Sequence, residues 1–321
     1  MTATLPSRLQ DVFERYVTCE YVTIDGRGQP IAWPVTPYYH HGEGCIDVTT
    51  GIGYPKKAAD AERNPHVALL FSDPTGSGIA DPPMVLVQGT AQVDDRDLKA
   101  NAERYRREAM AKLPGAKDAM PPKLLEGLFG WYFLRLYVHV RPERVFVWPS
   151  GRADAEPELY DAHLEEVRSH HNEEPEDGHP DPEGGPLVWD ERLDELGANY
   201  PTAVLPIVSP DGFPFAVRLP VEPDRAAGVL RFRDVPVGIP LEPGLACVCA
   251  HDHDPEFHWQ RNFQVRGDLV PEGDGWTLRP HKMVGGFELP PVSALQRYKI
   301  NARKVVRYRK IAKRELARRG G

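Results

Sequence analysis

Val67-Ala68-Leu69-Leu70-Phe71-Ser72-Asp73-Pro74 reads as a buried strand running into a turn. The same reading fits Ala246-Cys247-Val248-Cys249-Ala250-His251-Asp252-His253-Asp254-Pro255. Each is a short apolar run stopped by Asp and Pro, the pattern of a sheet-interior strand and its exit. Two more pairs flank them in the same order. Upstream, Asp25-Gly26-Arg27-Gly28-Gln29-Pro30 corresponds to Ser209-Pro210-Asp211-Gly212-Phe213-Pro214, which lies between strands expected at 204–208 and 215–219. Downstream, Val87-Gln88-Gly89 corresponds to Val265-Arg266-Gly267. Three collinear correspondences at nearly constant spacing indicate an internal duplication.

Working outward, Leu9, Val12, Phe13 and Tyr16 recur at helical spacing and predict a helix over 8–16. Strands are expected at 21–24 and 30–38, joined by the Asp25-Gly26-Arg27-Gly28 turn, and at 45–50. A short helix over 56–63 ends at Asn64-Pro65. Strands follow at 67–71 and 84–94, a helix at 97–113, and strands at 133–140 and 144–147. A helix is expected over 187–196. Leu295, Tyr298, Ala302, Val305, Ala312 and Leu316 place an amphipathic helix at the C-terminus.

The chain has 321 residues, a hydrophobic content of 41% and a formal net charge of -8, enough for two domains with cores of their own. Four cysteines, Cys19, Cys45, Cys247 and Cys249, are too sparse for a disulfide framework. No apolar run reaches the length of a membrane span, and the first residues do not read as a signal peptide. A cytoplasmic protein with no membrane partner is expected.

Charge is distributed unevenly. Residues 149–186 are rich in Pro, Gly and acids, with Glu165, Glu166, Glu173, Glu174, Glu176 and Asp177 among them. They read as a mobile linker. The last segment, from Arg297 to Arg319, is strongly basic. It is expected to pack on the protein's own body rather than on nucleic acid. The domain division is therefore a first unit at 1–148, the linker at 149–186, a second and degenerate unit at 187–292, and a basic C-terminal helix at 293–321.

In order and spacing, residues 21–148 resemble the pyridoxamine 5'-phosphate oxidase-like family of FMN-binding split barrels. The carrying residues are the Asp25-Gly26 and Gly28-Gln29-Pro30 hairpin, Thr49-Thr50 at a strand end, and Lys56-Lys57 followed by Asn64-Pro65-His66-Val67-Ala68. Val87-Gln88-Gly89-Thr90-Ala91 and Arg141-Pro142-Glu143-Arg144-Val145 complete the set. The resemblance implies a mainly β fold of two tandem split β-barrels with flanking helices and a C-terminal helix. It implies FMN, with Lys57 on the phosphate, helped by Lys56, Thr49 and Thr50. These residue types suit a dianion by themselves, because a helix N-terminus adds free N–H groups and a positive dipole end.

By the same resemblance the flavin ring lies along Trp33, Pro34, Val35 and Thr36, with Gln88 near it. Family members bind cofactor between two barrels, usually in a homodimer, so the duplicated chain is expected to form a pseudo-dimer within itself. Whether two chains also pair stays open. The second unit has Val235-Pro236-Val237-Gly238-Ile239-Pro240 where the first has its lysines. Its expected role is to complete the first unit's pocket, with Trp259, Arg261 and Asn262 as wall residues.

Cys247, Cys249, His251, His253 and His258 form a segment with metal-ligating residue types, but the loop spacing of a zinc site is missing. No metal ligand is assigned there; the histidines are read as a strand's end. The leading expectation is an FMN-dependent oxidoreductase acting on a small-molecule substrate, with hydride passing at N5 of the ring. No catalytic side chain is assigned. Pyridoxamine phosphate oxidation itself is not expected, because a second barrel replaces the family's C-terminal Arg and Trp segment. The alternatives are a deazaflavin (F-420) reductase on the same fold and a non-enzymatic flavin- or haem-binding module.

Overall fold

The computed structural model describes residues 6–40, 42–115, 130–161, 187, 189–286 and 294–320. The first sheet contains β1 (Cys19–Ile24), β2 (Pro30–Val35), β3 (Tyr38–Tyr39), β4 (Ile46–Gly51), β5 (His66–Phe71), β6 (Met84–Asp94) and β7 (Arg135–Trp148). Their spatial order is β2-β1-β5-β6-β7-β4-β3. The second contains β9 (Thr202–Val208), β10 (Pro214–Pro220), β11 (Glu222–Asp224), β12 (Val229–Phe232), β13 (Gly244–His253), β14 (Gln260–Glu272) and β15 (Gly275–Gly285). Its order, β10-β9-β13-β14-β15-β12-β11, repeats the first strand for strand. The fold is mainly β, two curled sheets of split-barrel type in tandem.

Local geometry repeats as well. Gly28 and Gly212 have φ of 76° and 83°, a left-handed conformation that favours glycine. Asp25 N donates to Gln29 O, and Ser209 N donates to Phe213 O in the equivalent turn. The register shifts between Gln88 and Gly89 of β6, where Glu143 of β7 is the extra residue, and between Arg266 and Gly267 of β14, where His281 of β15 is. Opposite the two glycines stand Arg141-Pro142 and Arg279-Pro280. A Cβ on Gly89 would run into the Arg141 carbonyl, and one on Gly267 into the Arg279 carbonyl. Both glycines are therefore fixed by a close backbone approach.

The two sheets share one core. Val22, Ala32, Leu70 and Met84 of the first cluster with Val204, Val217 and Cys249 of the second. Polar side chains cross between them: Gln29 Nε2 donates to Ala246 O at 2.8 Å, and Gln88 Nε2 to Pro214 O at 3.0 Å. This is the internal pseudo-dimer.

The helices belong to the first sheet and the C-terminus. They are α1 (Ser7–Arg15), α2 (Lys56–Arg63), α3 (Leu98–Lys112), the short α4 (Gly130–Phe133) and α5 (Ala294–Arg318). Asp97 caps α3 by accepting from Lys99 N and Ala100 N. Helix α5 docks on the first unit, with Val305 and Ala312 buried and Tyr308 stacked on Trp131 at 5.3 Å. Arg319 reaches Glu62 at 2.7 Å and Asp95 at 2.5 Å. The acids it meets are those of α2 and its neighbourhood.

Three expectations change. The helix over 187–196 is only a 3-10 turn at Glu191–Glu195, because Leu187 N donates to Pro280 O and so lies against β15. The strands expected at 133–140 and 144–147 form one strand, β7. The bulge at Glu143 of β7, opposite Gln88 and Gly89, lets Pro142, which has no N–H to pair, stay in the ladder. A further strand, β8 (Glu158–Asp161), pairs with β7 inside the stretch read as linker. Residues 162–186, the greater part of the stretch 149–186 expected to be mobile, lie outside the described residues. No helix is long and apolar enough to cross a membrane among the described residues.

Candidate functional site

Strand β4 ends at Thr49-Thr50-Gly51, and the chain turns into α2 with no side chain capping the helix. Thr50 is buried, and its hydroxyl donates to Tyr54 O at 2.9 Å. Thr49 is half-buried beside it. Lys57 is half-buried, its Nζ 5.7 Å from the centre of the Tyr54 ring. Burial, with the neighbouring Arg135 cation second, pulls the Lys57 ammonium down to about 8.

Arg135 opens β7 opposite Gly51. It is buried, and its guanidinium lies 3.9 Å from the Tyr105 ring centre and 4.1 Å from that of Tyr132. Its Nη1 donates to Tyr54 Oη at 3.0 Å, while Nε has no partner among the described residues. No carboxylate among the described residues pairs with Lys57 or Arg135. Two neighbouring cations without an acid make a candidate anion cradle, since buried charge is otherwise paired. The rings of Tyr54, Trp131 and Tyr308 close one side.

The other expected residues divide. Lys56 is neutralised, with Nζ 3.1 Å from Asp60 and 3.5 Å from Asp25. Trp33 and Pro34 are half-buried and Val35 buried on β2, and Thr36 follows the strand, half-buried. Gln88 is buried and engaged by Pro214 across the sheet junction.

Trp259 closes the β13–β14 turn, its N donating to Asp254 at 2.8 Å. Arg261 lies over Tyr200 at 4.9 Å and near Glu195 and Asp252 at 3.6 and 3.5 Å, within its own unit. Asn262 is buried in β14. The residue that packs from the second unit against the Tyr38–Tyr105–Phe133 cluster is Phe257, in a turn where its φ is 62°. Arg135 and Phe257 were not singled out from sequence. Arg135 carried a signal nonetheless, as a lone charge in the apolar run Phe133-Leu134-Arg135-Leu136.

A polar network sits where the sheets meet. Glu20 is fully buried and accepts from Ser72 Oγ and from Arg218 Nη2, both at 2.9 Å. His251 Nε2 lies 2.5 Å from the same carboxylate. Burial would raise Glu20, but His251, Arg218 and Ser72 hold it below the usual carboxylate range. His253 meets Thr18 Oγ1 at 3.1 Å. The histidines thus end strand β13 and lock onto the first unit. A cavity of about 300 Å³ opens beside them, lined in part by Asp73, Thr202, Arg218 and His251.

No family model matches the chain, and no curated protein matches it. Solved structures do. One is the general stress protein 26 of Bacillus anthracis, 15% identical, covering 48% of this chain and 96% of that one at a TM-score of 0.33. Another is a pyridoxamine 5'-phosphate oxidase-related, FMN-binding protein of Nostoc punctiforme, 14% identical, covering 46% and 85% at 0.34. An F-420 reductase is 17% identical, covering 42% and 94% at 0.31. Each aligns with about half of this chain. The tandem pair of split-barrel sheets is defined by the repeated strand order itself.

Proposed function

We propose that the chain is a flavin-binding oxidoreductase whose first unit anchors the FMN phosphate at Lys57 and Arg135. The observation that carries this reading is the pair of adjacent cations with no acid, set at the uncapped start of α2. The unpartnered Arg135 Nε and the Thr49 hydroxyl suit a phosphate, whereas the Thr50 hydroxyl already donates to Tyr54 O and would have to turn from it. When bound, the flavin supplies hydride chemistry. The chain's own residues bind and orient it: Lys57 and Arg135 hold the phosphate, and β2 residues 33–36 form the shelf for the ring. Phe257 and the tyrosines exclude water.

The second unit favours a supporting role. Where the first pairs Glu20 with Pro34, the second pairs Val204 with Arg218. An ion pair therefore stands where the second ring shelf would lie.

A titration of FMN followed by quenching of its fluorescence tests the proposal. Saturable quenching is expected; no uptake at any concentration overturns it.

A deazaflavin is the second reading. Helix α5 brings exposed Arg307, Lys310, Lys313 and Arg314 alongside Tyr308, which contacts the cradle wall. That surface would suit a cofactor with a longer anionic tail. Tighter binding of the deazaflavin than of FMN would favour it.

A further inference from the structure

The face of β4 and β7 beneath α3 carries a second cluster, four residues along β4 from the cradle and so roughly 13 Å away. Cys45, Asp47 and His139 each offer one donor atom, and these atoms all lie within 4.8 Å of one another. His40 and Glu43 of the β3–β4 turn form a second such group with the same Asp47. Cys45 Sγ is 3.5 Å from Asp47 Oδ1, and His139 Nδ1 is 2.6 Å from it.

We propose that Cys45, Asp47 and His139 bind a zinc ion, with the fourth position facing His40 and Glu43. One thiolate, one imidazole and one carboxylate is a donor set that zinc takes readily. Bonds of about 2.0–2.3 Å in a tetrahedron put donors roughly 3.3–3.7 Å apart. The Cys45–Asp47 separation already fits, and the His139–Asp47 contact has to open by about 0.7 Å.

The outer partners are in place. Asp94 Oδ2 on β6 lies 3.8 Å from His139 Nε2, the nitrogen left over when Nδ1 ligates. Ligating histidines commonly present that nitrogen to a carboxylate. Arg104 of α3 donates to Asp47 Oδ2 at 2.5 Å and to Glu108 at 2.8 Å. Glu108 in turn meets His40 Nε2 at 2.9 Å.

Zinc would take the imidazole in its neutral form and Cys45 as the thiolate, releasing their protons on binding. Cys45 is half-buried, which leaves a way in, while Asp47 is buried. The second unit has Arg231 and Thr277 at the positions of Asp47 and His139, so the site belongs to one repeat.

Metal-free, untagged full-length protein should be titrated with cobalt and zinc, alongside Cys45→Ser and His139→Gln. Cys45→Ser leaves the Asp47–His139–Arg104 network intact and should fold. The expected result is a near-ultraviolet thiolate-to-cobalt charge-transfer band, displaced by zinc and absent from Cys45→Ser. Zinc affinity in that variant should fall at least about 100-fold, beyond the loss that an outer partner brings. Absence of the thiolate band in the wild type, or equal zinc affinity in Cys45→Ser, would overturn the site and leave an ordinary ion network.

Discussion

The two units share a strand order, a hairpin turn and a bulge, yet among the described residues only the first carries the acid-free pair of Lys57 and Arg135 proposed as a cradle. Between β4 and β5 the first unit inserts α2 with its lysines; between β12 and β13 the second runs a shorter connection with no helix. Between β6 and β7 the first inserts α3 and α4, which deliver Tyr105, Trp131 and Tyr132. The second closes the same gap with a turn at Gly273-Asp274. The barrel is thus a frame kept in both copies, and the residues of the proposed site sit in or beside what the connections add, as loops on a rigid scaffold commonly carry function. Where the copies meet, equivalent positions have diverged into complementary charges. Glu20 matches Val204 and Pro34 matches Arg218, and Glu20 now pairs with Arg218 across the junction.

That divergence is the first place to break the comparison. Glu20→Gln leaves Arg218 short of its buried partner and should cost about 3–5 kcal/mol by chemical denaturation. Glu20→Val combined with Arg218→Leu should recover much of the loss, since an apolar replacement of a buried pair is often near neutral.

The cradle comes next. Lys57→Ala should weaken FMN binding by roughly 10- to 100-fold, the worth of about 1.5–3 kcal/mol for a hydrogen bond to a charged group. Lys56→Ala, already paired with Asp60 and Asp25, should change it by less than about threefold.

The bulges test the likeness itself. Gly89→Ala and Gly267→Ala should each destabilise by about 1–3 kcal/mol, the range for overpacking a tight site, and by similar amounts. A large cost at one and none at the other would break the equivalence.

Lys57 sets a pH dependence of definite sign. Its folded value, about 8, lies below its ordinary 10.5, so the unfolded chain holds more protons between them. Stability of the cofactor-free protein should therefore rise with pH across that window. FMN affinity should fall as pH rises through about 8, because the phosphate requires the ammonium form. A pH series of melting and FMN titrations reads both.

Much of the frame was legible because strands and turns write themselves locally. Asp25-Gly26-Arg27-Gly28 and Ser209-Pro210-Asp211-Gly212 announce the same turn, and α2 ends where Asn64-Pro65 say it should. The short strands β3, β8 and β11 were not anticipated, since two to four residues give no period to count.

At the site, Lys57 and the threonines could be found from their order. The pairing of Lys56 with Asp60, four residues on along the same helix, was open to the same reading, whereas its contact with Asp25 was not, because that residue comes from the β1–β2 turn. Arg135 lies far along the chain from Lys57, and their acid-free pairing exists only after β4 and β7 come together. Arg261 was expected in the wall from its place in the repeat; Tyr200, Glu195 and Asp252 hold it in its own unit instead.

The most direct test of the account compares FMN with riboflavin, which lacks the phosphate, on the wild type and on Lys57→Ala. The account predicts that the wild type prefers FMN by a wide margin, and that Lys57→Ala loses most of that preference while its affinity for riboflavin barely moves. Equal affinities for the two flavins in the wild type, or a preference for FMN that survives Lys57→Ala intact, would contradict it.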